Sequence, residues 1–193
     1  MKCPAPPAAH CPPAPDPTCG GAFARARLRV DERTPGRERL NLTMRRGEAV
    51  SAAELGNPVP PGGTRYAVCL YDGADALVAS LEVDRAGASC RANTPCWRPN
   101  GEAFLYRDPH AAADGIKQLL LRGGPPGSPT VLLAAGNDAS RGQTALTAGL
   151  IELLAGSPRI TVQVRGSDAP RCLSVRLEEL AQPRAGLVRA RKR

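Results

Sequence analysis

Aromatic side chains are scarce in this chain, with one tryptophan, three tyrosines and two phenylalanines among 193 residues. A core built around stacked rings is therefore excluded, and Leu, Val, Ile and Ala must supply the packing. The same scarcity argues against a groove for single-stranded nucleic acid, whose bases need aromatic partners. Lysine is nearly absent: only Lys2, Lys117 and Lys192 occur, so the net charge of +8 is carried by guanidinium groups. No run approaches the ~20 apolar residues that a membrane-spanning helix requires. Histidine is confined to His10 and His110, and neither a G-x-S-x-G elbow nor a phosphate-cradling glycine loop occurs. No enzyme activity, cofactor or metal site is expected on these grounds. Asp108 and Asp114 form the one acidic pair worth naming for glycoside hydrolysis.

What is abundant points to short strands. Glycine and proline number 20 each, which favours many turns over a helical bundle. From Phe23 to Val30 the chain alternates, with Ala24, Ala26, Leu28 and Val30 on one face and Arg25, Arg27 and Arg29 on the other. Leu40, Leu42 and Met44 repeat the pattern. RYAVCLYDGADALVASLEVD reads as a hairpin turning at Asp72-Gly73, and Ile160–Arg165 with Leu173–Leu177 reads as another. Between them, Asp108-Pro109 is a good helix start, yet Ile116–Leu121 and Val131–Ala135 flank GGPPGSP as two strands would, and strands are the reading adopted. Leu146, Leu150, Leu153 and Leu154 have helical spacing, so one short helix is expected near 145–155.

The two hairpins match in strand phase, turn position and the presence of a cysteine, and RLNLTMRRGEA echoes IKQLLLRGGPP. The fold expected is mainly β: a sandwich-like domain over 22–181 built from pseudo-repeated halves, 22–97 and 98–181. Residues 1–21, rich in proline and carrying Cys3, Cys11 and Cys19, read as a disordered linker. Residues 182–193 read as a disordered basic tail. Cys69, Cys90, Cys96 and Cys172 are an even set in the domain and candidates for two bridges. Cys90 and Cys96 can close a small loop, and Cys69 with Cys172 would tie the halves together. The other pairings stay open. Strand phase puts Cys69 and Cys172 on an outer face.

Y-A-V-C-L-Y-D, C-R-A-N-T-P-C-W, F-L-Y-R-D, D-G-I-K-Q-L-L-L-R-G-G and V-Q-V-R-G-S ahead of a cysteine together resemble a β domain of unassigned function found in large secreted bacterial proteins, often beside cysteine-rich repeats. Leu173 stands where that pattern carries a second tryptophan. The resemblance implies an extracytoplasmic or cell-surface β module and no catalytic residue. MKCPAPPAAHCPPAP lacks the apolar centre of a signal peptide, so export would imply an upstream segment.

Three functional readings follow. The first is a non-catalytic structural or adhesive module. The second is carbohydrate binding by an exposed Trp97 with Tyr106 or Tyr71, set against the plainer reading of an indole packed on a bridge. The third is polyanion binding by an Arg25/Arg27/Arg29 ridge. Cell-surface glycan or protein is the partner class, with nucleic acid disfavoured and no membrane span.

Overall fold

The computed structural model describes residues 10–154 and 156–192, the side chains of 179 and 181–184 excepted. It is a mainly antiparallel β structure. The first four strands are β1 (Arg25–Asp31), β2 (Arg39–Arg45), β3 (Tyr66–Tyr71) and β4 (Leu77–Val83). A small hairpin, β5 (Ser89–Arg91) and β6 (Thr94–Pro95), precedes β7 (Trp97–Asn100) and β8 (Ala103–Arg107). Then come β9 (Ile116–Arg122), β10 (Thr130–Gly136), the helix α1 (Leu150–Leu154), β11 (Ile160–Gly166) and β12 (Leu173–Leu177). The chain closes with β13 (Glu179–Arg184) and β14 (Leu187–Lys192).

These strands build an eight-stranded sheet in the order β13-β14-β1-β2-β10-β9-β8-β7 and a four-stranded sheet in the order β12-β11-β3-β4. Alternation explains which face each presents. Leu28, Val30, Leu40, Leu42, Val131 and Leu133 of the large sheet share one buried core with Val68, Leu70, Val162 and Val175 of the small one. The architecture is the sandwich-like β fold that the alternation predicts, with one short helix. Leu146, Leu150 and Leu154 are buried, but only residues from Leu150 onward are helical, and Leu153 is 52% exposed. The carboxylate of Glu32 accepts the Leu150 and Ile151 amides at 2.9 and 3.4 Å and so anchors the first turn.

The pseudo-repeat is present in the topology, with other boundaries than expected. Reading either sheet from its two ends matches β1–β4 with β9–β12, β7 with β13 and β8 with β14. Each half therefore runs as four strands followed by a hairpin, and the division falls between β8 and β9 instead of at residue 97. In this arrangement β2 corresponds to β10, not to β9 as the Arg-Gly endings suggest. Each terminal hairpin joins the other half: β8 pairs with β9, and β14 pairs with β1.

Both ends of the domain require correction. The tail from 182 includes an ordered strand, since Leu187 to Lys192 pair residue by residue with Asp31 to Ala26. Its alternation buries Val188 and Ala190 while Arg189 and Arg191 face out. The linker likewise packs from residue 10 onward, as a strap across the outer face of the small sheet; the expectation for 1–9, including Cys3, lies outside the described residues. The Asp16 amide donates to Gln163 Oε1 at 3.0 Å, and Gln163 Nε2 donates to the Asp16 carbonyl at 2.8 Å. Tyr71 donates its hydroxyl to the Pro12 carbonyl, and the Leu77 amide donates to that of Pro13. Proline deprives such a segment of donors, and here the sheet supplies most of them.

Candidate functional site

The cysteine pairing follows from sheet geometry. Cys90 bonds to Cys96, but Cys69 bonds to Cys11 and Cys172 to Cys19. The expected link between Cys69 and Cys172 is overturned by distance. Cys69 sits opposite Gln163 on β11, which sits opposite Ser174 on β12, so the two cysteines are two strands apart. That is about 9.6 Å at the usual strand spacing, beyond the ~7 Å limit for bridged Cα atoms. Both do face outward, as their phase predicts, and the strap reaches each in turn. The odd total of seven gave no route to this connectivity. Asp16 and the sulfurs of Cys19 and Cys172 lie within 4.8 Å of one another, but sulfur held in a disulfide is not the thiolate a metal needs. Asp16 is instead bound by Arg165 Nη1 at 2.9 Å and by Thr18. Those two hydrogen bonds, Thr18 foremost, lower its pKa from 3.8 to about 2.

The proposed carbohydrate platform is also overturned. Trp97 is 1% exposed and Tyr106 is fully buried. The indole lies between Tyr66 and Tyr106, with ring centroids at 5.3 and 5.2 Å and tilted planes, a geometry aromatic pairs favour. In a chain with so few rings, three of them concentrate in the core beside the buried Cys90–Cys96 bridge. Burial drives the phenols of Tyr66 and Tyr106 well above the ordinary range. Tyr71 is buried as well, beneath the strap.

The carboxylates raised by the sequence have structural duties. Asp108 accepts the His110 and Ala112 amides at 2.8 and 2.9 Å and the Tyr106 hydroxyl at 3.3 Å, closing the turn ahead of β9. Asp114 accepts the Glu82 amide at 2.7 Å. A further buried pin was not foreseen. Asn137 Nδ2 donates to Glu38 Oε2 and to the Leu146 carbonyl, both at 2.8 Å, tying the loop before α1 to the large sheet. Burial alone would raise the Glu38 pKa, but hydrogen bonds from Asn137 and the Gly36 amide outweigh it and hold the group below its ordinary value.

The surface that collects like chemistry is the outer face of the large sheet. Arg25, Arg27 and Arg29 occupy it at two-residue intervals, as β1 alternation predicts. Strand pairing adds what the sequence order hides. Arg25 lies opposite Arg45 on β2, while Arg27 and Arg29 lie opposite Arg191 and Arg189 on β14. Directly opposed residues have Cβ atoms about 5 Å apart, and like charges there are destabilising, by on the order of 0.5–1 kcal/mol per pair in a water-like dielectric. Among the described side chains the carboxylates on this face stand at its margins, while Glu179 of β13 lies opposite Arg191 in register. Asp31 binds Arg29 and Arg33 at 2.8 and 2.7 Å, which holds its carboxyl well below the usual range, the Arg33 contact contributing most. Glu178 lines the shallow trough between Arg27 and Arg189. A ladder of guanidinium groups on a rigid sheet can bind several anionic groups of one ligand together, each through the planar fork that suits phosphate, sulfate and carboxylate. Comparison of the chain with family models, with curated proteins and with solved structures returns no match.

Proposed function

We propose that this protein is a non-catalytic, disulfide-braced β module that works outside the reducing cytoplasm and adheres to polyanions through the outer face of its large sheet. The observation that carries the reading is the gathering of Arg25, Arg27, Arg45 and Arg189 on one face by strand register, with Arg25 directly opposite Arg45. Repulsion of this kind is relieved when an anionic polymer lies over it. Three disulfide bridges support the compartment, because such bonds persist where the surroundings are oxidising. The family resemblance of the sequence points the same way. A net charge of +8 adds long-range attraction that steers an anionic polymer toward the protein.

Retention on immobilised heparin as a function of sodium chloride tests the reading. Counterion release makes the logarithm of affinity fall linearly with the logarithm of salt, with a slope set by the number of contacts. Replacing Arg25, Arg27 and Arg45 together by Gln is expected to lower that slope by about three while leaving the melting temperature unchanged or slightly raised. Elution of the wild-type protein at physiological salt, or an unchanged slope in the triple variant, refutes it.

A further inference from the structure

Beside the arginine ladder the same face turns apolar, in one continuous row. Cross-strand register places Arg98, Leu105, Leu120, Leu132, Thr43 and Arg27 in line across six strands, from β7 to β1. Their neighbours in sequence point the other way: Tyr106, Leu119, Leu121, Val131 and Leu133 are all buried in the core. Alternation therefore sends Leu105, Leu120 and Leu132 outward, where each stays partly exposed. The outer face of a sheet packed on one side is ordinarily polar, so three leucines in consecutive register are an exception that calls for a partner.

The rim of this patch is cationic. Arg98 and Arg27 close its two ends, and Arg107, Arg122 and Arg45 occupy the flanking rows through their pairing with Gln118, Thr130 and Arg25. All five are exposed. The centre is purely aliphatic, which offers nothing for stacking on sugar rings or bases. A second copy of the chain is disfavoured, because apposing this face to itself would bring one guanidinium rim against another.

From this arrangement we infer that the outer face of the large sheet docks flat onto an anionic lipid surface, with Leu105, Leu120 and Leu132 entering the interface while the surrounding arginines engage the headgroup phosphates. An aliphatic centre with a basic rim matches the layering of such a surface, apolar chains beneath a plane of negative charge. The inference deepens the polyanion reading and rests on it, but it makes a separate demand on the leucines.

Co-sedimentation with vesicles of phosphatidylcholine alone, and of an equimolar mixture with phosphatidylglycerol, separates the two. Binding is expected only to the mixed vesicles. Replacing Leu105, Leu120 and Leu132 by Thr is expected to weaken vesicle binding at least tenfold and to leave heparin retention unchanged. Replacing Arg98, Arg107 and Arg122 by Gln is expected to weaken vesicle binding about a hundredfold, at roughly fivefold per arginine. If the leucine triple does not fold, Leu132→Gln alone carries the test, since its side chain leaves the core untouched. Heparin retention without binding to mixed vesicles, or a leucine variant that binds them as the wild type does, overturns this inference and leaves the polyanion reading standing. Loss of both kinds of binding removes both. A wild-type dimer dissolved by the leucine substitutions assigns the patch to a second copy and likewise overturns it.

Discussion

Removing the Cys19–Cys172 bridge by the double substitution Cys19→Ala, Cys172→Ala perturbs the longest covalent loop in the molecule. The bridge spans 153 residues, but the Cys11–Cys69 bond shortens the route, leaving an effective loop of about 110 residues. In the chain-entropy model a loop of that length limits the unfolded state by about 4–5 kcal/mol. Asp16 grips Gln163 and Arg165 with or without the bridge, so those contacts do not offset this term. The expected loss is about 4–5 kcal/mol, which for a chain of this size lowers the melting temperature by roughly 8–20 °C. Denaturant melts of the two single variants are expected to match the double, since either substitution alone breaks the bond. The control is Cys90→Ala, Cys96→Ala, whose loop closes across a separation of only 6, worth about 2 kcal/mol in the same model. A peptide map under non-reducing conditions that joins Cys69 to Cys172 would refute the reasoning. So would a Cys19/Cys172 variant no less stable than the Cys90/Cys96 one.

Two further outcomes are expected. Trp97→Ala leaves a cavity between Tyr66 and Tyr106 and is expected to cost about 3–5 kcal/mol; in the wild type, the emission of this indole is expected to be indifferent to added polysaccharide, and a titratable response would reopen the sugar-binding reading. Asp16 has its pKa lowered from 3.8 to about 2, so its contribution to stability is present above about pH 4 and lost as pH falls through about 2. The gap in melting temperature between wild type and Asp16→Asn is expected to close across that window, and a gap constant from pH 6 to 2 would show that the carboxylate does not hold the strap.

Much of the fold is legible because alternation survives in the strands that form the sandwich. β1 to β4, β11 and β12 carry period-two patterns and appear where those patterns lie, while β9 and β10 are the two apolar runs that flank GGPPGSP. β7 and β8 are less readable, since Pro99 and Gly101 interrupt WRPNGEAFLYR before either strand completes two alternations. β14 is legible in hindsight: Val188 and Ala190 alternate with Arg189 and Arg191, but arginines at a chain end look like a solvated tail. Its burial comes from β1, more than 150 residues away in sequence, which no local window contains. The strap escaped for a related reason. Cysteine parity divided the seven residues into four and three, whereas the bonds cross that division. For the functional surface, alternation exposes the Arg25, Arg27, Arg29 ridge, but the facing arginines and the leucine row arise only from register between distant strands.

The exchange of terminal hairpins also governs how this protein can be made. β1 is made about 160 residues before the strand that covers its outer edge, which is completed only at Lys192. At ordinary synthesis rates that edge stays bare for roughly 10–30 s, a long interval for an open ladder of backbone donors and acceptors. The first half, meanwhile, has already produced β7 and β8, which have no β9 to join. Neither half can complete its share of the large sheet without the other, so the sheet closes only once strands from both halves are present.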